Sequence, residues 1–253
     1  PVPWASMIPA FTIKLGQQIQ NDCVTVAKFD GKRPSLAAGT NGGRVLVHSP
    51  HSRTFEGGAG ADDEVKTRFL NFNRALTALS SGAINPALTA DDDESAPRDV
   101  LLVGMQMTLL AYDVEMNSDI FYKDVQDGVN SMVFGRVPGV ENPLCIVGGN
   151  CSIQGFDHEG AEAFWTVTGD NVSTLALCDT DGKGRHELLV GSDDFEIRIF
   201  ENEEVQVEVA EADKITALVP IQLSKFGFGL ANGTIGVYNR TKRVWRAKSK
   251  HKV

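Results

Sequence analysis

The run Asp179-Thr180-Asp181-Gly182-Lys183-Gly184-Arg185-His186-Glu187 holds the residue types and spacing closest to chemistry in this chain. Carboxylates at alternating positions of a glycine-kinked loop present oxygen atoms to a hard cation such as calcium. The fifth position, where a third carboxylate belongs, is Lys183, which cancels charge and removes a ligand. An Asp-Gly turn joining two strands accounts for the same residues without a metal. Asp30-Gly31-Lys32 repeats the arrangement with fewer ligands, which favours the turn. Catalysis has less to work with. His48, His51, His158, His186 and His251 are scattered, and G-x-S-x-G, H-E-x-x-H and paired Cys/His patterns are missing. Asp157-His158-Glu159 reads as a solvated turn. Gly227-Phe228-Gly229-Leu230-Ala231-Asn232-Gly233 lacks nucleotide-loop spacing, and no helical pattern follows it. No catalytic, cofactor-binding or metal-ligating residue is assigned, no cofactor is expected, and the chain does not read as an enzyme.

The elements that must position these residues repeat. Cys23-Val24-Thr25-Val26, Leu76-Thr77-Ala78-Leu79, Val129-Asn130-Ser131-Met132, Val172-Ser173-Thr174-Leu175 and Ile215-Thr216-Ala217-Leu218 share an apolar-x-x-apolar pattern, and their starts lie 53, 53, 43 and 43 residues apart. Each is followed by an apolar run ending near glycine: Leu36–Gly39, Leu101–Gly104, Cys145–Gly148, Leu188–Gly191 and Phe228–Ala231. A third segment ends in a ring before a polar residue, at His48, Tyr112, Phe156, Phe200 and Tyr238. A looser fourth carries Phe55, Phe121, Trp165, Val207 or Trp245. Four strands at a period of about 40–50 residues are the mark of a β-propeller blade. The expected fold is all-β, with about five four-stranded antiparallel blades at roughly 7–70, 75–125, 128–170, 171–212 and 214–250. Residues 1–6 read as an expression scar before Met7. The 63–79 segment is the one place left for a helical turn or a mobile insertion. In propellers related to integrin heads, calcium sits in loops between first and second strands, which is where 179–187 falls.

Composition narrows the function classes. The last fourteen residues hold seven of the 24 Lys and Arg and none of the 33 Asp and Glu, so the body is more acidic than the net of −9. An acidic body disfavours nucleic acid and anionic membranes. The basic run Arg240–Lys248 has the composition of a nuclear-type or lipid-binding patch, but reads first as the outer strand of the fifth unit, with Val244 and Trp245 packed and the charges solvated. Insertions at 56–68 and 85–99, the second carrying Asp91-Asp92-Asp93-Glu94, read as exposed loops. Cys23, Cys145, Cys151 and Cys178 lack C-x-x-C spacing and read as buried free thiols. No apolar stretch reaches membrane-spanning length, and no secretory signal is visible. On that ground the sequons at Asn150, Asn171, Asn232 and Asn239 read as chance matches.

Several longer runs resemble one family. They are Gly148-Gly149-Asn150-Cys151-Ser152-Ile153-Gln154-Gly155-Phe156-Asp157-His158-Glu159-Gly160, Phe164-Trp165-Thr166-Val167-Thr168-Gly169-Asp170, Leu110-Ala111-Tyr112-Asp113-Val114, Glu187-Leu188-Leu189-Val190-Gly191-Ser192 and Asn232-Gly233-Thr234-Ile235-Gly236-Val237-Tyr238. Together they resemble the Bardet–Biedl syndrome 2 family over about 7–250. Lys183 departs from the acidic residue expected there. The resemblance implies a non-catalytic scaffold propeller of the BBSome, a coat-like complex that moves membrane proteins into and out of cilia. It implies other BBSome subunits as partners, seven and nine first, with membrane-protein cargo as a further ligand. Membrane contact would come only through the complex, at the cilium and its basal body. The family propeller is expected to have seven blades, so five leave a truncated, open array with a homodimer through its open faces. The alternative is a cation-binding adhesion- or enzyme-type propeller using the Asp179–Glu187 loop.

Overall fold

Short apolar runs broken by Gly, Asn and Asp cannot sustain a helical stripe, and they become strands, most of them of 5–7 residues. The structure, a computed structural model, describes residues 12, 16–50, 66–90, 93–222 and 224–249. The first sheet is β1 (Ile19–Ala27), β2 (Ser35–Thr40), β3 (Arg44–Ser49) and β4 (Lys66–Asn71). Next come β5 (Leu76–Gly82), a hairpin of β6 (Thr89–Ala90) and β7 (Asp93–Pro97), then β8 (Val100–Met105), β9 (Thr108–Asp113) and β10 (Ser118–Asp124). The third sheet is β11 (Ser131–Gly135), β12 (Leu144–Gly148), β13 (Ser152–Phe156) and β14 (Glu162–Val167). The fourth is β15 (Val172–Cys178), β16 (Glu187–Ser192), β17 (Glu196–Glu201) and β18 (Glu204–Ala210). The fifth is β19 (Ile215–Ile221), β20 (Lys225–Leu230), β21 (Thr234–Asn239) and β22 (Lys242–Lys248). Each sheet is an antiparallel meander, with β6–β7 inserted between the first two strands of the second.

The first strands stand side by side, β1 against β5, β5 against β11, β11 against β15 and β15 against β19. The starts of β1, β15 and β19 and the residue before β11 line one cavity of about 510 Å³, with Asn21, Asp22, Asn130, Asn171, Ser173 and Thr216 among its walls. The sheets therefore radiate from a common axis as propeller blades. The second strands are buried on both faces: every residue of β8, β12 and β16 is buried.

The recurring glycine now has a cause. A Cβ on Gly39 would stand 2.8 Å from Leu76 Cδ1, one on Gly104 2.6 Å from Val129 Cγ1, one on Gly148 2.3 Å from Val172 Cγ1, and one on Gly191 2.6 Å from Ile215 Cγ2. In each case the second strand of one blade touches the first apolar residue of the next. The glycine is required by this close approach, since none of the four has a positive φ. In the fifth blade the glycine at this register is Gly229, opposite Ala217 and two places before Ala231.

Three expectations need correction. The 63–79 segment is not helical where it is described: β4 and β5 occupy it, with Phe69 exposed and Leu70 buried on opposite faces of β4, and a register shift after Leu76 lets Leu76 and Leu79 share one core. The fourth strand of the first blade is thus Lys66–Asn71 and not a segment around Phe55, which lies outside the described residues. The 85–99 insertion is not simply exposed. Leu88 packs on the core of the second and third blades, and Arg98 is buried against Asp113. Asp91 and Asp92 lie outside the described residues.

Candidate functional site

The Asp179–Glu187 loop joins β15 to β16, the first and second strands of the fourth blade. Gly182 (φ 76°) and Gly184 (φ 77°) take the left-handed backbone that curls it tightly. The curl turns three N–H groups onto one carboxylate. Asp179 Oδ1 accepts from Gly182 N at 2.7 Å and Lys183 N at 3.1 Å, and its Oδ2 accepts from Gly184 N at 2.9 Å. Asp181 accepts from Lys183 N at 3.0 Å through Oδ1, and its Oδ2 meets Lys183 Nζ at 2.6 Å. The hydrogen bond from Lys183 holds the Asp181 carboxyl below its ordinary pKa, and Asp181 in turn raises the Lys183 ammonium. Glu187 is buried and accepts from the Thr180 amide and hydroxyl. The carboxylates are thus engaged by N–H and O–H donors. Among the described residues no three His, Cys, Asp or Glu converge closely enough to hold a metal ion. The loop does not fit a divalent ion.

A second carboxylate missed in the sequence organises the third blade. Asp127, in the segment leading into β11, accepts at Oδ2 from Cys151 N, Ser152 N and Ser152 Oγ at 2.7–2.8 Å. Burial pushes its carboxyl up, but these hydrogen bonds, with one from Asn150, outweigh that and hold it below the ordinary value. The β12–β13 turn is thereby tied to a residue more than twenty positions upstream.

The most extensive candidate surfaces are the two terminal sheet faces. In the first blade, Cys23, Ala27, Ala37, Val45, Val47 and Leu70 pack on Leu76, Leu79, Leu101 and Val103 of the second. The register places Val24, Ala38, Leu46 and Phe69 in one row on the opposite face, with Val26 and Leu36 in the next. On that face Val24, Val26 and Phe69, on the two edge strands, are exposed, Val26 at 64%, whereas Ala38 and Leu46 on the two middle strands are buried. The fifth blade mirrors this. Phe226, Phe228 and Tyr238 pack on Ala176, Cys178, Leu189, Ile197 and Ile199 of the fourth. The opposite face carries the row Val219, Gly227, Val237 and Trp245, beside Ala217, Gly229, Ile235 and Ala247. Val219, Ile221, Ile235 and Trp245 are exposed there, while Val237 in the same row is buried. Isolated exposed apolar residues are ordinary, but rows of them on one sheet face mark an interaction surface.

The basic run is indeed the outer strand of the fifth blade, β22, and all seven of its residues are exposed. Val244 and Trp245 are half exposed rather than packed, which corrects the expectation; the described residues supply no sheet for Trp245 to pack on. Arg243 is held instead by Glu211 at 2.9 Å and lies over the Tyr238 ring at 5.5 Å. Smaller grooves run along the outer edges between blades. One of about 560 Å³ is lined by Phe72, Arg74, Tyr112 and Tyr122, and another of about 580 Å³ by Lys123, Phe156, Trp165 and Val167. All four cysteines are free; Cys23, Cys145 and Cys178 are buried, whereas Cys151 is exposed in the β12–β13 turn. Burial raises the thiols of Cys23, to about 12, and of Cys145. His48 is buried at the end of β3 beside Thr67, His158 sits in the β13–β14 turn, and His186 precedes β16, so these three do not meet. His51 and His251 lie outside the described residues.

The family described as "Ciliary BBSome complex subunit 2, N-terminal" matches residues 25–135, and "Ciliary BBSome complex subunit 2, middle region" matches residues 174–253. The chain is 47% identical over 249 residues to BBSome complex member BBS2 of Mus musculus and, equally, of Homo sapiens. It is 46% identical over 249 residues to that of Danio rerio. Each alignment covers 97% of this chain, and the chain spans about a third of the length of these curated relatives. A crystal structure of BBS1N in complex with ARL6DN is similar with a TM-score of 0.71 over 94% of this chain and 72% of that one, at 11% identity. That likeness establishes the fold, a β-propeller.

Proposed function

Because the chain belongs to the BBSome subunit 2 family, we propose that it is a non-catalytic scaffold propeller that docks other subunits of the ciliary BBSome and serves the traffic of membrane proteins into and out of cilia. The observation that carries this reading is the pair of apolar sheet faces on the first and fifth blades, whose edge-strand residues are exposed and on which no further sheet packs among the described residues. A propeller hides its terminal blades against each other, and among the described residues these two do not pack on one another. The relatives are about three times longer, and further blades are proposed to cover these faces in the whole protein. The chain alone instead pairs with a second copy through them. Subunits seven and nine are the partners proposed for the whole protein, with membrane-protein cargo beside them, and the outer-edge grooves with Trp165 and Tyr122 are where they dock. The acidic body supports partner-mediated rather than direct membrane contact.

The test is co-purification of subunits seven and nine with the full-length protein carrying Tyr122→Ser and Trp165→Ser. Exposed aromatics in grooves are the commonest binding hot spots, each supplying about 2 kcal/mol or more. Capture is expected to fall at least tenfold while the melting temperature is kept. Unchanged capture by the doubly substituted, folded protein would remove the grooves from the account. Failure of the unsubstituted protein to capture either subunit would remove those partners.

A further inference from the structure

We propose that β22 is a docking edge for an extended acidic segment of a partner protein, one that alternates acidic with apolar residues and pairs with the strand as a further strand of the fifth blade. β22 is the last strand of its sheet, so one side of its backbone has no strand beside it. Ser249 N donates inward to Gly233 O at 2.8 Å. The alternation of an antiparallel ladder therefore turns the backbone groups of Trp245 and Ala247 toward β21, and the N–H and C=O of Arg246 and Lys248 outward. The strand carries Lys242, Arg243, Arg246 and Lys248 and no acid, whereas the outer strands β10, β14 and β18 each carry carboxylates. Only Arg243 has a carboxylate partner among the described residues, Glu211. A bare strand edge invites pairing, and basic side chains on it repel basic strands while attracting acidic ones.

The register fixes what such a segment must look like. Trp245 and Ala247, opposite Val237 and Ile235, lie on one face of the sheet, and Arg246 and Lys248, opposite Gly236 and Thr234, lie on the other. A strand laid alongside sets its own alternate residues against these. Acidic residues meet Arg246 and Lys248, and apolar residues meet Trp245 and Ala247. The register shift between Val237 and Tyr238 confines this pairing to the stretch after Val244. An anionic membrane would use the charges but neither the backbone row nor the alternation, and the acidic body beside the strand opposes it. β22 lines neither of the two outer-edge grooves, so this surface is additional to them.

Fluorescence polarisation of a short labelled peptide alternating glutamate with valine, titrated with the chain, reads the pairing. Binding is expected, and it should weaken as salt is raised, because the cations it uses are exposed. A peptide alternating lysine with valine should bind about tenfold more weakly or less. A glutamate–valine peptide methylated on all its amide nitrogens keeps every side chain and loses its donors; it should also bind about tenfold more weakly or less. Arg246→Glu with Lys248→Glu should reverse the preference, so that the lysine peptide binds and the glutamate peptide does not. The melting temperature should hold, since both side chains lie in water. The proposal is overturned if the wild type binds neither peptide or both alike. It is also overturned if methylation leaves binding intact, or if the folded double variant keeps the original preference. Co-sedimentation with phosphatidylserine vesicles by the wild type and not by the double variant would assign the strand to a membrane and overturn it as well.

Discussion

Gly148→Val is expected to destabilise the chain by about 3 kcal/mol or more. Gly148 ends β12 where the third blade meets the fourth. A Cβ there would lie 2.3 Å from Val172 Cγ1 and 2.7 Å from Val172 Cβ, well inside van der Waals contact. Val172 is 1% exposed at the start of β15 and cannot swing aside, because Leu175, Leu188 and Val190 surround it. Overpacking a close-packed interior costs about 1–3 kcal/mol where side chains can shift. Here two strand backbones would have to separate, which puts the cost at or above the upper end. For a chain of this size each kcal/mol is about 2–4 °C, so the melting temperature should fall by about 6–12 °C. Thermal melts followed by circular dichroism check it. Gly148→Ala with Val172→Ala should recover much of the loss of Gly148→Ala alone, because the two positions share one volume. A loss below about 1 kcal/mol for Gly148→Val would mean that the blades do not meet at this glycine.

Asp113→Ala should cost about 3–5 kcal/mol, the range for breaking a buried ion pair from one side. Arg98 and Asp113 lie 3.0 Å apart, with their side chains 8% and 9% exposed. Arg98 Nε and Nη1 have no partner among the described residues, so Asp113 is the counter-charge that keeps the guanidinium tolerable inside. Asp113 Oδ1 also accepts from Glu115 N and Met116 N, both at 3.0 Å, and so shapes the β9–β10 turn. Two effects are mixed in the alanine variant, and a second change separates them. Asp113→Asn keeps a turn acceptor and removes the charge. Combined with Arg98→Met, it removes both charges and leaves the turn, and should lie within about 1.5 kcal/mol of the wild type. Urea denaturation at constant slope is the measurement. A double variant as unstable as Asp113→Ala would show that packing of the Arg98 stem matters more than charge.

These two sites also mark what was legible beforehand. Strand order and the number of blades follow from runs such as Leu188–Gly191, since a strand buried on both faces leaves no polar alternation to mistake. The glycine of each run was visible as a spacing, and its reason was not, because the atom it makes room for sits in the next unit. The Arg98–Asp113 pair joins an insertion to a strand end, and the Asp127 cap reaches Ser152 across 25 residues; no local pattern encodes either contact. The fourth strand of the first blade was misplaced because an acidic, glycine-rich insertion separates it from the third, and the ring at Phe55 drew the assignment. Lys183 was read correctly as a cation in a carboxylate loop, but only the coordinates bring its ammonium onto Asp181.

The exposed edge strands of the two terminal sheet faces are the decisive feature. The most direct measurement is the light-scattering mass of the chain as its concentration is raised, alone and with Val26→Asp and Val219→Asp, which put a carboxylate on each face. The account predicts a mass climbing above the 27.3 kDa of one chain, and a return to that value when both faces are charged. A mass that stays at one chain for the unsubstituted protein at high concentration would contradict it.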